Sequence, residues 1–335
     1  MEKKIVFHIG PAKTGTSSLQ EALFQNRRHL HQQGYEYPEF GRHTDMQLLP
    51  GHHGIPEQLK KQGKLSPALL DSLAALPDTH TLVLSSENLA HVPSPAIRAM
   101  LEQIGTQNVE VIYYARRWDH LLPSVWQELV KHGFSRPYPE FLNNQVSAPM
   151  ASIYLNYMNA LDKWAQIVGP RRLRIFSYNN ILESGEDVVA HFSREVLGQT
   201  LNMSGPRSDN QRQSPGETET LRVLNRLTYG SKIPSAQLRY AFDKCRGEIA
   251  GELEALEQIY EPHLREARPF PPFLFAHVER AFLKQYGNRV ENLTPKQALF
   301  NDRDVRNAPY IDCGYLLQPG VAERFQKLLK VLSRA

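Results

Sequence analysis

The segment Lys4-Ile-Val-Phe-His-Ile9 followed by Gly10-Pro-Ala-Lys-Thr-Gly-Thr-Ser17 constrains the fold more than any other stretch of the chain. A short apolar run closed by Gly10 and Pro11 reads as a buried parallel strand. From Thr16 onward Leu19, Leu23 and Leu30 recur at helical spacing, with Gly34 as the stop. Strand, tight glycine loop and helix in that order have the frame of a phosphate-binding loop, G-x-x-x-x-G-K-[ST]. Here Thr16 follows Gly15 where that loop has its lysine, and the turn's only lysine is Lys13, three residues earlier. The charge has moved from the loop's end to its crown. Backbone N–H groups from Lys13 to Ser18, at the positive end of the helix they open, suit a bound phosphate. The hydroxyls of Thr14, Thr16, Ser17 and Ser18 add donors, more than one helix cap requires. The expected ligand carries a 5′-phosphate with an anionic group leaving or arriving beside it.

A second constellation falls on the same rim. Asn108-Val-Glu-Val-Ile-Tyr-Tyr114 reads as a strand delivering Ala115-Arg116-Arg117-Trp118 at its carboxyl end, and open α/β sheets bind ligands outside those ends. Ser124 comes eight residues after Arg116, inside a helical stretch reaching about Lys131. An arginine grips phosphate with two parallel hydrogen bonds, and a nearby serine can add a third. An Arg-Arg pair by itself reads as a solvated surface pair; beside the first loop it reads as an anion grip. Thr81-Leu-Val-Leu-Ser85 is a further buried strand, and Ser86 and Glu87 follow it onto the rim.

Taken together, Lys13-Thr-Gly-Thr-Ser-Ser18 and the Arg116/Ser124 pair resemble the two nucleotide motifs of sulfotransferases that use 3′-phosphoadenosine-5′-phosphosulfate (PAPS). The resemblance covers roughly residues 1–200. It implies a P-loop-like, three-layer α/β fold in which Lys13, Thr14, Gly15, Thr16, Ser17 and Ser18 bind the 5′-phosphosulfate and Arg116 and Ser124 the 3′-phosphate. Arg174-Ile-Phe-Ser-Tyr178 is similar to the family's later strand, which implies that Tyr178 lies near the adenine. The chain departs from the family in having Asn179 and Asn180 where an acidic residue commonly follows that tyrosine.

Sulfuryl transfer to a hydroxyl or amine is the implied chemistry. Negative charge builds on the bridging oxygen of the leaving phosphate, and Lys13 is the cation placed to stabilise it. No metal is expected, since no H-x-x-x-H, C-x-x-C or carboxylate cluster has metal-ligand spacing. The acceptor must lose a proton to a base within hydrogen-bond reach. Glu87 is the candidate, with capping or an arginine pair as its plainer alternative. Some members of the family use a glutamate near this place and others a histidine. His52 and His53, in Pro50-Gly-His-His-Gly54, are the rival bases and candidate substrate-binding residues, whereas His8 reads as packed in the core. The polar loop Arg207–Pro215 could bring Arg212 to the 3′-phosphate, and Ser214-Pro-Gly-Glu217 is equally a good helix start. Tyr154, Tyr157, Met158, Leu161, Trp164 and Ala165 recur as a core-facing helical stripe.

The whole chain fits this reading. It has 335 residues and a net charge of +4, which suits anionic ligands and falls short of a nucleic-acid-binding signature. Its two cysteines supply no disulfide framework. No signal peptide or membrane span is legible, so a bacterial-type cytoplasmic enzyme is expected. Residues 1–200 are expected to form the α/β core, with a substrate-side insertion at about 41–77. Residues 201–335 form a mainly helical region packed on the same domain, with helices near 216–229, 236–260, 272–287 and 320–333; it could serve a homodimer. The acceptor is a small molecule or glycan, by resemblance a carbohydrate or glycolipid hydroxyl. A P-loop nucleotide kinase or triphosphatase, and a non-catalytic adenosine bisphosphate sensor, are the competing readings.

Overall fold

A computed structural model describes residues 3–44, 48–201, 213–230, 234–268, 272–301 and 305–334. Along the chain, β1 (Ile5–His8) leads into α1 (Thr16–Gln25) and α2 (Arg27–Gln32), and β2 (Tyr35–Glu36) into α3 (Gly54–Gln62) and α4 (Pro67–Ala74). β3 (Thr81–Ser85) precedes α5 (Ser94–Ile104); β4 (Val109–Ala115) precedes α6 (Trp118–Lys131), α7 (Tyr138–Val146) and α8 (Met158–Val168); β5 (Leu173–Ser177) precedes α9 (Tyr178–Glu183) and α10 (Val188–Glu195). Then come α11 (Pro215–Leu227), α12 (Ser235–Lys244), α13 (Ala250–Tyr260), β6 (Leu264–Ala267), α14 (Pro272–Tyr286), β7 (Ala308–Ile311) and α15 (Val321–Leu332).

The chain divides into two compact units. The first comprises Met1–Arg117, Leu155–Asp209 and Ala276–Asp302. Its five-stranded sheet has the order β2-β3-β1-β4-β5, and every pairing is parallel. Alternation along the strands makes this an α/β fold of three layers. Ile5, Phe7, Val109, Val111 and Tyr113 face one core with Ile97, Leu161 and Trp164, while Val6, Ile112 and Tyr114 face the other with Leu19, Leu23 and Phe192. Strand order reverses at β1, so the crevice beyond its carboxyl end lies at the topological switch point.

The second unit comprises Trp118–Tyr154, Asn210–Phe275 and Arg303–Ala335. It holds α6, α7, α11–α13 and α15 with the antiparallel pair β6–β7. The expected single boundary near residue 200 is therefore corrected. Residues 118–154 belong with the later helices, because the Asn225 side chain on α11 donates to the Val130 and Phe134 carbonyls at 2.7 and 3.1 Å. Residues 276–302 belong with the sheet, where Phe282, Tyr286 and Leu299 complete one of its cores. The 41–77 interval is also more than an excursion toward substrate: Ile55, Leu59, Leu65 and Leu73 are buried in that same core. No helix among the described residues is long and apolar enough to cross a membrane, and both cysteines are free thiols.

Candidate functional site

Gly10 ends β1 at φ 87°, and a Cβ there would stand 2.7 Å from the Cβ of Glu87. Only glycine lets the chain turn left-handed with another backbone this close. The loop's crown then takes Lys13 through φ 69°, a conformation rare outside glycine and asparagine. Such strain persists where the surroundings over-determine it. Two contacts hold it. The buried Thr14 hydroxyl donates to the Pro11 carbonyl at 2.7 Å, and the Arg116 guanidinium donates to the Lys13 carbonyl. Gly15 (φ 74°) caps α1 with no side chain, so the first N–H groups of α1 have neither a capping oxygen nor an intrahelical acceptor.

Arg116 leaves the end of β4 and lies against this crown. Its guanidinium stands 5.4 Å from the centroid of the Tyr178 ring, and its carbonyl accepts from the Tyr157 hydroxyl at 2.6 Å. Tyr178 opens α9, and a Cβ at Gly15 would be 3.8 Å from its hydroxyl. Burial raises the Tyr178 phenol above its ordinary value, with Arg116 acting the other way. Lys13, Gly15, Arg116 and Tyr178, from three strand ends, thus share one rim. Ser17 is exposed, whereas the Thr16 hydroxyl, 3.3 Å from the Pro11 carbonyl, turns back into the loop. The two asparagines after Tyr178 are structural: Asn179 accepts from the Arg117 N–H at 2.8 Å, and Asn180 donates to the Asn292 carbonyl at 2.8 Å.

Ser124 belongs to the second unit. There it lies in α6, and its hydroxyl donates to the His120 carbonyl one turn back at 3.0 Å. Arg212 lies outside the described residues; the loop's end is seen from Gln213, where Ser214 and Glu217 form a reciprocal capping box on α11.

Glu87 follows β3 beside Gly10 and is held by a residue that no sequence motif singles out. Gln20, on α1, is buried; its amide donates to the Glu87 carboxylate at 3.2 Å, and its carbonyl oxygen lies 3.3 Å from His53 Nε2. The other ring nitrogen of His53 meets the Ser86 hydroxyl at 2.8 Å. Those contacts form one directed chain: Ser86 donates to Nδ1, Nε2–H donates to Gln20, and Gln20 donates to Glu87. His53 Nε2 itself stands 3.9 Å from the carboxylate. A glutamine in an amphipathic helix reads as solvent-facing, and nothing in the helical period marks this one as buried.

The neighbouring His52 does something different. Its ring is fully buried, with Nδ1 accepting from the Ser85 N–H at 3.1 Å and Nε2 donating to the Pro38 carbonyl at 3.1 Å. Both nitrogens pin loops together, so the expectation of a substrate contact or base at His52 gives way to a structural clamp, because neither nitrogen is left to meet a ligand. Burial pushes the imidazoles of His52 and His8 from 6.5 down to about 3. They are neutral in the folded protein and protonate once unfolded below about pH 6.5. The unfolded chain then binds the extra protons, so stability is full above that pH and falls between about 6.5 and 3, by up to ~1.4 kcal/mol per pH unit for each ring. Urea midpoints at pH 7 and pH 5 measure this, and His52→Gln is expected to give a shallower pH slope than the parent. An unchanged slope would remove His52 from the account.

No family model matches the chain, and no curated protein matches it. Among solved structures it is matched to a sulfotransferase from Alicyclobacillus acidocaldarius, at 12% identity and a TM-score of 0.36, over 71% of this chain and 95% of that one. The strand pairings of the first unit define an α/β fold whose five-stranded parallel sheet carries the rim of Lys13, Arg116 and Tyr178 at its carboxyl edge.

Proposed function

We propose that this chain is a sulfotransferase that moves a sulfuryl group from PAPS to a hydroxyl or amine acceptor, releasing 3′-phosphoadenosine-5′-phosphate. The observation that carries the reading is the strained crown: a lysine at φ 69° whose carbonyl is gripped by Arg116, at the switch point of a parallel sheet. A triphosphatase loop needs its lysine after the second glycine, and Thr16 stands there. In this reading the N–H groups opening α1, with Ser17 and Ser18, hold the 5′-phosphosulfate, while Thr14 and Thr16 shape the loop. Arg116 holds the 3′-phosphate, and Tyr178 borders the adenine. Ser124 enters this reading through the sequence alone.

In the transfer itself, the acceptor oxygen forms a bond to sulfur as the bond from sulfur to the bridging phosphate oxygen breaks. The electron pair of the broken bond stays on that oxygen, where the Lys13 ammonium offsets it. The acceptor proton passes to Glu87, oriented for it by Gln20. His53, two hydrogen bonds away through the same glutamine, positions that pair, and both its ring nitrogens are engaged in doing so. A carbohydrate or glycolipid hydroxyl is the acceptor that the family resemblance favours.

Calorimetry with 3′,5′-adenosine bisphosphate and with ATP tests this reading. The bisphosphate is expected to bind more tightly without magnesium, and Arg116→Ala to weaken it by about 10–100-fold, the worth of charge-assisted hydrogen bonds. Arg116→Lys, which keeps charge and loses the fork, should recover only part. Preference for ATP with magnesium-dependent hydrolysis would turn the assignment to a P-loop kinase or triphosphatase. Tight bisphosphate binding with no transfer to any acceptor would make the chain a sensor.

A further inference from the structure

At the amino-terminal edge of the sheet, a strand's length from the rim, three donor atoms converge outside the candidate site. His31 lies in α2, Glu36 in β2, and His80 immediately before β3. Strand pairing brings them together: Tyr35 pairs with Thr81 and Glu36 with Leu82, and the Thr81 N–H donates to the Gly34 carbonyl at 2.8 Å. His31 Nδ1 stands 2.5 Å from Glu36 Oε1, and His80 Nδ1 stands 2.8 Å from the same oxygen. The two imidazoles approach edge to face with centroids 4.9 Å apart, and the three donor atoms all lie within 4.8 Å of one another.

We infer that His31, Glu36 and His80 form a binding site for a zinc-class divalent cation. Around a tetrahedral ion with bonds of about 2.0–2.1 Å, neighbouring donors stand roughly 3.3 Å apart, so these donors need shift by only about 1 Å to surround one. Two imidazoles and a carboxylate are a donor set for zinc, cobalt or nickel rather than for magnesium or calcium, which take oxygen. Ligation through Nδ1 leaves the proton of each ring on Nε2. His31 and Glu36 also help line a cleft of about 550 Å³, which supplies an entry path. Three protein donors leave one coordination position for water or an exogenous ligand. The ion would tie the end of α2 and the two-residue edge strand β2 to the start of β3.

The test uses the chain free of any histidine tag and stripped with a chelator, titrated with zinc chloride by calorimetry and with cobalt chloride by visible absorption. One ion per chain is expected, with the cobalt bands of a tetrahedral nitrogen and oxygen site. His31→Ala, Glu36→Ala and His80→Ala should each weaken binding by more than the roughly 10–100-fold that an outer-shell change costs. His29→Ala, an exposed neighbour on α2, should leave it intact. Because the His31 side chain is 57% exposed, its removal tests ligation without threatening the fold. No saturable binding by the parent chain, or binding that survives the His31 and Glu36 substitutions, would overturn the site and leave two imidazoles sharing a carboxylate.

Discussion

Replacing Lys13 by alanine is expected to lower the single-turnover rate of sulfuryl transfer by about 10²-fold or more, the cost of losing one preorganised charge partner of a leaving group. The structure makes this a clean substitution. Arg116 grips the Lys13 carbonyl, a backbone atom present whatever the side chain, so the crown keeps its clamp when the ammonium is removed. Alanine is also an L-residue at φ 69° and bears a similar backbone cost, whereas glycine would relieve it and confuse the result. Lys13→Met separates charge from stem: it should lose as much rate as alanine while keeping the side chain's apolar length. Arg116→Ala should show the opposite division, with weaker nucleotide binding and a rate per bound complex that falls less. Quench-flow kinetics beside bisphosphate titrations of both variants read the two effects separately. If Lys13→Met lost nucleotide affinity and kept its rate, the lysine would be a ground-state anchor, and the mechanism would need another stabiliser of the leaving oxygen.

The convergence of Lys13, Arg116 and Tyr178 was legible because strand ends are. β1, β3, β4 and β5 each show a short apolar run closed by a break, and parallel strands deliver the residues after them to one edge. β2 escaped detection because Tyr35 and Glu36 are too few to show a period, and their pairing with Thr81 and Leu82 is a tertiary event. The leucine spacing in α1 reads straight into α2, yet the helix breaks at Asn26, whose side chain bonds back to the Ala22 carbonyl at 2.8 Å. The stretch 236–260 likewise splits into α12 and α13 between Lys244 and Ala250. His52 and His53 show a sharper limit. They are adjacent, identical in type and flanked alike by glycine, yet one clamps two backbones and the other joins Gln20 and Ser86. Which ring faces which way depends on Pro38, Ser85 and Gln20, all distant in sequence. Membership of the two units was illegible for the same reason, since it rests on contacts such as Asn225 with Val130, which no local period announces.

Glu219 is the strongest such case, and Glu219→Gln is expected to destabilise the second unit by about 3–5 kcal/mol, the cost of breaking a buried ion pair from one side. Glu219 and Arg222 stand at i and i+3 on α11, and an exposed pair at that spacing is worth a few tenths of a kcal/mol. In the fold both are buried. Arg222 makes two parallel bonds of 2.6 Å to the carboxylate and a third of 2.8 Å to the Ser135 carbonyl, while the Tyr315 hydroxyl donates to Glu219 at 2.6 Å. Burial works against the Arg222 charge, but the bonds and charge of Glu219 outweigh it and raise the guanidinium's pKa. Burial and the same carboxylate raise the Tyr315 phenol. A glutamine keeps the shape and one acceptor but leaves the guanidinium without its counter-charge. If that uncompensated charge is the cause, Glu219→Gln/Arg222→Met should recover part of the lost stability, because the buried guanidinium left without a counter-charge is removed as well. Urea unfolding and hydrogen exchange of the α11 amides measure both variants. A single substitution costing under about 1 kcal/mol would return the pair to the surface role that its spacing suggests.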